Sequence, residues 1–576
     1  MSTVTSPEAT VPDDSGRRRV PLSPSAAWTV TLVGAVLLIA STFLSWSYTS
    51  DVLGDLSVSF YPNAVQIAML VSGVLVVVAL LTVRGPLRRV AEWFDTGAAV
   101  RALSIGAAIY VVIALVLIAY QSGGLVNVNP GGWLALVGSL AMAIGSWEVR
   151  TAPEGDLLRF VLPSWVEILV VVVLLAIVLF GAAYLLGIPD GETFSLMIVF
   201  AGALAFALAK SRGFEWLGHI ASRNRRVFSL GAFVVAFLFP FTQNGSDANM
   251  SIATQVIIFA VTALGLNIVV GLAGLLDLGY IAFLGAGAYV AAMLSTSAFA
   301  TVGWKPPFLV VMAVGACTSA TLGLIIGSPT LRVSGDYLAI VTLAFGEIFR
   351  ITMNNLDGEN GPNLTNGPNG IPAIPELNFF GFDFGETHVV AGIPLGRFAN
   401  YYFLLLIVAV IVITIFTRLN NSRIGRGWVA IREDEKAAEA MGVNVFGLKL
   451  FAFAGGAFLA GMAGTIKAHL DVSVSPDQYV FLESAFLLAA VVLGGMGTVA
   501  GVFVGAAILK LLPEKLRFVA DYRLLLFGLL LVLMMRFRPE GLVASERRKL
   551  EFHADDEELA ERIEEVHIVE EQEAKA

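Results

Sequence analysis

The sequence predicts an all-α polytopic membrane protein, and three observations support this prediction. Hydrophobic residues make up 57% of the 576 residues and charged residues only 14%, which is too apolar for one soluble globule and too weakly charged for a disordered chain. The apolar residues form long runs between Trp28 and Met535. Since a helix needs about 20 apolar residues to cross the bilayer core, these runs amount to about sixteen candidate spans. Thirdly, short basic clusters recur between the runs.

The basic clusters predict the sidedness of the spans, because lysine and arginine favour the cytoplasmic ends of membrane helices. Loops with clusters alternate with loops that lack them, which places both ends of the chain in the cytoplasm. The clustered loops before residue 227 contain Arg17–Arg19, Arg84 with Arg88 and Arg89, Arg150 with Arg159, and Lys210 to Arg226. We therefore expect a cytoplasmic N-terminal tail over residues 1–26 and a block of about six transmembrane helices over residues 27–226.

The composition also excludes several kinds of site. Cys317 is the only cysteine, so the chain can form no internal disulfide and no cysteine-based metal site. Its histidines are scattered, and no phosphate-binding loop motif is present. The net charge of −9 is accounted for by residues 551–576, which predicts a solvated acidic tail over residues 544–576. We expect no catalytic residues, no metal site and no nucleic-acid partner.

A glycine-rich stretch after residue 264 is the first candidate for a functional site. It reads GLNIVVGLAGLLDLGYIAFLGAGAY over residues 265–289. Glycine permits close helix contact and helix breaks, and non-helical backbone at membrane depth survives only inside protein or beside a cavity. The stretch therefore indicates either a discontinuous segment beside a pathway or tight helix packing. Its candidate pathway residues are Asn267, Gly271, Gly274, Asp277, Gly279 and Tyr280.

A second glycine-rich stretch reads LGGMGTVAGVFVG over residues 493–505. Paired broken segments in two halves of a chain are typical of inverted-repeat transporters, in which the pathway lies at the interface between the repeats. We therefore predict an inverted repeat within residues 227–543, although residue identity between the two stretches is weak.

Two further features lie at the outer side of the membrane. They are a charged pair, Glu347 and Arg350, and the long loop 353–400, which the alternation of basic residues places outside the cell. Glu347 and Arg350 lie three residues apart near the outer end of a span, where they form either a structural ion pair or part of the pathway. The loop itself is long for a connector and rich in turn residues, so contact with an external partner is an open alternative.

Residues 418–447, called the charged segment below, interrupt two apolar runs on the predicted cytoplasmic side. Ala437, Ala440 and Met441 share one face at helical spacing, charged residues surround that face, and Gly442 provides a stop. A short helix of this kind fits a groove on another protein. The alternative is a helix that is merely solvated.

Together these motifs resemble the LivM-type membrane subunit of bacterial ABC importers for branched-chain amino acids. The resemblance covers about residues 252–543, and the motifs GDYLAIVTLAFGEIFR, LTNGPNGI and RIGRGWVAIREDEKAAEAMGVNV occur in the family order. It implies an ABC importer permease core over residues 227–543. It also implies a coupling segment, here 418–447, that sits in a cleft of an ATP-binding subunit. The coupling residues are then Arg432, Glu435, Lys436, Ala437, Ala438, Glu439 and Gly442.

The resemblance further implies the partners and the source of energy. The partners are two ATPase subunits, a second homologous permease and an external binding protein, with ATP and magnesium bound by the ATPase subunits rather than by this chain. Three positions depart from the family pattern. Lys436 stands where importers have a glutamate, and Asp277 and Tyr280 stand where similar permeases tend to have serine and histidine.

The expected function is therefore import of branched-chain or similar hydrophobic amino acids across a bacterial cell membrane. A urea or amide ABC permease is the nearest alternative. An ion-coupled secondary transporter that uses Glu347 or Asp277 as its proton site is an alternative of another class, and a membrane scaffold without transport is a third.

Overall fold

The computed structural model describes residues 23–57, 63–149, 162–330, 336–359, 361–379, 381–517, 522–538 and 540–543. The chain divides into two compact units, Met1–Phe233 and Val234–Ala576; the sequence-based boundary lies at residue 226. Most of the predicted N-terminal tail and all of the acidic tail 544–576 lie outside the described residues. So do the basic residues Arg150, Arg159 and Arg332, on which part of the sidedness prediction depends.

The first unit is mainly helical in its described part. Its helices are α1 (Pro24–Ser41), α2 (Ala64–Arg84), α3 (Thr96–Ser122), α4 (Pro130–Ser146), α5 (Ser164–Gly187), α6 (Gly191–Lys210) and α7 (Gly213–Arg223), followed by α8 (Arg225–Leu238), which runs into the second unit. Helices α1 to α4 pack against their neighbours, and α3 also packs on α6. A buried carboxylate, Glu167, is held at the start of α5 by Arg223 and Asn224, at 2.7 and 2.9 Å.

The second unit contains the remaining helices and four short strands. The helices are α9 (Asp247–Asn267), α10 (Ile281–Leu294), α11 (Phe308–Thr330), α12 (Asp336–Asn355), α13 (Arg397–Asn420), α14 (Arg423–Glu433), α15 (Glu435–Ala440), α16 (Val445–Asp471), α17 (Phe481–Gly494), α18 (Val499–Lys515) and α19 (Arg523–Phe537). The strands are β1 (Asn378–Phe379), β2 (Phe382–Asp383), β3 (His388–Val390) and β4 (Ile393–Leu395), paired antiparallel as β1–β2 and β3–β4.

The prediction of an all-α membrane protein is confirmed. Among the described residues, twelve helices are long and apolar enough to cross a membrane, and α4 and α10 are shorter apolar helices. The predicted total of about sixteen spans is not confirmed. Part of the difference has a structural cause, since the break beside the first glycine-rich stretch leaves α10 with only 14 residues.

Helix α16 lies at the centre of the second unit, packed against both α10 and α11. The contact with α10 is close because glycines face each other across it. A Cβ atom at Gly287 would lie only 2.7 Å from the Cα atom of Gly461. Substitution of Gly287 would therefore push α10 away from the central helix, whereas a side chain at Gly461 would meet Ser319 of α11.

The two ends of this unit differ in what they contain. The charged segment, with α14 and α15, lies at one end beside the loops that follow α9 and α17; we call this the charged end. The four short strands belong to the long loop 356–396, which bridges to the segment after α16 through Ile371 and Val474. We call this second end the long-loop end.

Candidate functional site

Helix α9 does not lead into α10 by an ordinary turn. It continues as one π-helical turn, Ile268–Leu272, after which residues 273–280 follow without regular helix. The Tyr280 hydroxyl donates to the carbonyl oxygen of Gly456, in the middle of α16, at 2.6 Å. The Leu278 amide donates to the Thr342 hydroxyl, in the second turn of α12, at 3.0 Å. Residues 268–280, called the broken segment below, thus form the discontinuous element that the sequence predicts as one alternative, buried inside the unit.

Asn267 joins the broken segment to the second glycine-rich stretch. Its side chain is fully buried. Its Oδ1 atom accepts a hydrogen bond from the Gly497 amide at 2.8 Å, and its Nδ2 atom donates to the Thr498 carbonyl at 3.2 Å. The two glycine-rich stretches, about 230 residues apart in sequence, therefore lie against each other at the charged end. The inverted repeat itself stays a prediction.

Arg432, near the end of α14, links the charged segment to the broken segment. Its Nη1 atom donates to the Gly271 carbonyl at 3.0 Å. The stem of the arginine covers Gly274, where a Cβ atom would lie 2.5 Å from Arg432 Cγ. Gly274 also has a φ of +71°, a conformation that glycine adopts without steric cost. Position 274 therefore requires glycine for two reasons: a side chain would clash with Arg432, and the backbone has a positive φ.

Asp277 is the buried carboxylate of the broken segment. It is 1% exposed, and its Oδ1 atom accepts a hydrogen bond from the Gly279 amide at 2.9 Å. Its second oxygen, Oδ2, has no hydrogen bond among the described residues, with Thr342 as its polar neighbour. Gly279 itself packs directly on the α12 backbone at Thr342 and Gly346. The carboxylate is therefore enclosed by helix backbone rather than open to solvent.

Glu347 and Arg350 lie apart from this group. Arg350 Nε donates to Glu347 Oε1 at 2.9 Å, and Arg350 also lies 3.9 Å from Asp477. The Glu347 side chain is 41% exposed. The predicted ion pair is therefore formed, on the exposed side of α12 toward the long-loop end, whereas the other six pathway candidates gather in or beside the broken segment.

The charged segment folds into α14 and α15, and buried residues anchor both helices. Trp428 is fully buried, donates from Nε1 to the Leu448 carbonyl at 2.7 Å and stacks on Phe451. Glu435 pairs with Lys449 of α16 at 2.6 Å, and the lysine side chain is only 9% exposed. A rigid attachment to α16 follows from these contacts.

The outer face of α15 is open in the chain. Met441 is 84% exposed, and the predicted coupling residues Lys436, Ala437, Glu439 and Gly442 are exposed with it. Ala438, in contrast, is buried at 4%. Gly442 has a φ of +83° and ends the helix, as the sequence predicts. The apolar face of Ala437, Ala440 and Met441 is therefore presented outward, beside exposed charges.

Sequence reasoning missed three participants in this arrangement. Lys449 had a signal, since a lysine inside an apolar run is expensive to bury and needs a partner. Thr342 had none, and the glycine-rich stretch that contains Gly497 gave no sign of its contact with Asn267, because both roles depend on which helices lie side by side. Within the described part of the chain, no cluster of histidine, cysteine, aspartate or glutamate could hold a metal ion. The arrangement connects α14, the broken segment and the second glycine-rich stretch by direct hydrogen bonds.

Comparison with known proteins identifies the region that contains this site. Residues 249–535 match the family model described as branched-chain amino acid transport system / permease component. The high-affinity branched-chain amino acid transport system permease proteins LivM of Salmonella typhimurium and Escherichia coli are each 39% identical over 338 residues, which is 57% of this chain and 76% of each relative. The LivH permease protein of Escherichia coli is 25% identical over 50% of this chain and 91% of its own length. No solved structure matches.

Proposed function

The chain belongs to the family of branched-chain amino acid transport permeases, and on that premise we propose that it is the membrane subunit of an ABC importer for branched-chain or similar hydrophobic amino acids. The observation that supports this proposal most strongly is the contact of Arg432 with Gly271. It joins an exposed helical element at the surface to a broken membrane helix in the interior. An importer driven by a separate ATPase needs such a connection.

In this proposal the charged end of the second unit faces the cytoplasm, and the long-loop end faces outward. The charge pattern supports this orientation, since the charged segment and residues 536–549 are rich in arginine. Both chain termini are then cytoplasmic. The long loop, with half-exposed Phe382 and exposed Val389 at its hairpins, provides the surface that would receive an external binding protein.

The proposed coupling element is α14 with α15. The exposed face around Ala437 and Met441 would sit in a cleft of an ATPase subunit, with Lys436 and Glu439 at its edge. Movement of the ATPase would then reach α16 through the Glu435–Lys449 pair and the broken segment through Arg432. ATP and magnesium would bind to the two ATPase subunits. A second homologous permease would complete the membrane part.

The broken segment is the proposed moving part of the pathway. Side chains bond its backbone at separate points: Arg432 donates to the Gly271 carbonyl, Thr342 accepts from the Leu278 amide, and Asp277 accepts from the Gly279 amide. Interrupted helices of this kind offer peptide groups to a polar ligand at membrane depth. A zwitterionic amino acid could therefore pass without a dedicated fixed charge at each step.

Uptake of labelled leucine into proteoliposomes tests the proposal. The complete complex, with ATPase subunits, second permease and binding protein, should import leucine only when ATP is supplied. Valine should compete, whereas urea and acetamide should not. Competition by urea would indicate an amide importer, and uptake by this chain alone that collapses with an uncoupler would indicate an ion-coupled transporter.

A substitution at the end of α15 tests the coupling step. Proline at position 442 cannot adopt the positive φ of Gly442, so Gly442→Pro should abolish uptake while the complex still assembles. Full uptake by that variant would contradict the coupling role. Reconstituted complex whose ATP hydrolysis does not respond to leucine and binding protein would indicate a scaffold without transport.

A further inference from the structure

A cavity of about 190 Å³ lies in the second unit among α9, α10, α16, α17 and α18, and the proposed function has not used it. Its apolar wall contains Ile258, Phe259, Ile281 and Leu284. Ile281 is the first residue of α10, so this wall lies directly beyond the end of the broken segment. Pockets for drug-sized ligands begin at roughly 300 Å³, so this cavity suits only a smaller molecule.

The opposite wall of the cavity contains charged side chains in neutral pairs. Lys510 donates to Glu483 at 3.0 Å and lies 4.4 Å from the centre of the Phe259 ring. Lys467 pairs with Asp471 one turn along α16. The carboxylate of Asp471 also accepts from Gln255 at 3.0 Å. The wall thus offers two ammonium groups and the carboxylate of Glu483, and Asp471, which lies outside the lining, balances the charge of Lys467.

Gln478 supplies an acceptor that the chain leaves unused. Its side chain lines the cavity, and its Oε1 atom is buried without a hydrogen-bond partner among the described residues. A buried acceptor without a donor destabilises the fold. Rotation of the Gln478 side chain toward the cavity would let this oxygen accept an N–H group of a ligand and remove that cost.

We propose that this cavity is a binding site for a zwitterionic amino acid with an apolar side chain. The α-ammonium group donates to Gln478 and faces the carboxylate of Glu483. The α-carboxylate is bound by Lys467 or Lys510, and the side chain lies on the wall formed by Ile258, Phe259 and Leu284. The inference rests on the proposed function and adds to it the site at which the substrate waits before the broken segment.

The balance of charges explains which ligands the cavity would accept. A zwitterion can exchange partners with two ion pairs while the site stays neutral. A charged side chain on the ligand would have to lie on the apolar wall, where burial of an unpaired charge is costly. Urea offers no carboxylate to the lysines and leaves the apolar wall uncovered. The cavity therefore favours leucine-like ligands over amino acids with a charged side chain and over urea.

Protection of an introduced thiol tests the site by binding alone. In the complete transporter with Cys317→Ser as background, Gln255→Cys places the only thiol of this chain at the cavity wall and leaves every proposed ligand contact in place. The control is Asp477→Cys, because Asp477 lies outside the lining and its side chain is 85% exposed. Leucine at about ten times its dissociation constant should slow labelling of the Gln255→Cys protein about tenfold, and labelling of the control should not change.

The other outcomes separate this inference from the proposed function. Valine should protect like leucine, and urea should not; equal protection by urea would overturn the zwitterion assignment. Labelling that leucine leaves unchanged, in a complex whose Cys317→Ser parent imports leucine, would overturn the site but not the importer. A parent complex that imports no leucine, although it hydrolyses ATP, would overturn both the site and the importer.

A second variant tests the site by filling the cavity. Leu284→Trp should raise the concentration of leucine needed for half-maximal uptake, whereas Ile407→Trp on the exposed face of α13 should not.

Discussion

The amide of Gly497 donates a hydrogen bond of 2.8 Å to the side chain of Asn267. One buried side chain thereby fastens the end of α9 to the turn between α17 and α18. Because Arg432 contacts the carbonyl of Gly271 a turn further along, the charged segment and both glycine-rich stretches meet within a few residues. Movement at this point would therefore shift both the broken segment and the turn between α17 and α18.

Replacement of Asn267 by alanine should weaken this junction. The Gly497 amide and the Thr498 carbonyl would lose their partner, at a cost of about 1–3 kcal/mol, and leucine uptake should fall by more than the amount of folded protein. Thermal unfolding in detergent and uptake in proteoliposomes measure the two effects. Asn400→Ala is the matched control, since Asn400 is also buried and bonds the loop carbonyls of Phe384 and Glu386. Equal uptake per folded molecule in both variants would contradict a special role for Asn267.

Two substitutions of Trp428 should separate packing from hydrogen bonding at the base of α14. Trp428→Ala removes a fully buried ring and should cost about 3–5 kcal/mol. Trp428→Phe keeps a ring against Phe451 but loses the bond to the Leu448 carbonyl, so about 1 kcal/mol is expected. Unfolding of the purified complex measures both. A larger loss for phenylalanine than for alanine would contradict the packing described here.

Glu347→Gln should leave leucine uptake nearly unchanged. The Glu347 carboxylate is 41% exposed and pairs with Arg350 three residues away, and such exposed pairs contribute about 0–1 kcal/mol. Uptake assays with and without a proton gradient check this expectation. Loss of uptake in the variant would favour a proton-coupled mechanism over an ATP-driven one.

Much of this arrangement can be predicted from the sequence, and the exceptions have physical reasons. Hydropathy predicts the helical membrane fold, and the glycines offer the break after Asn267 as one of two alternatives. Sequence spacing also predicts the Glu347–Arg350 pair, because both residues lie on one helix. The spacing could not show that Gly497 contacts Asn267 or that Arg432 reaches Gly271, since these contacts depend on how distant helices pack.

The charged segment likewise combines local features that the sequence predicts with a contact between helices that it does not predict. Its short helix and the stop at Gly442 follow from local pattern, and the structure contains both. The pair between Glu435 and Lys449 joins α15 to another helix, so no local pattern predicts it. The number of spans was the least predictable feature, because the short helices α4 and α10 are apolar enough to resemble complete spans in a hydropathy count.

The ratio of leucine imported to ATP hydrolysed by the reconstituted complex tests the central claim most directly. If Arg432 transmits movement to the broken segment, Arg432→Ala should lower this ratio about tenfold, which corresponds to about 1.4 kcal/mol of lost coupling, while ATP hydrolysis continues. Arg517→Ala, which removes an exposed pair with Glu514, should keep the wild-type ratio. An unchanged ratio in the Arg432→Ala complex would contradict the proposed coupling.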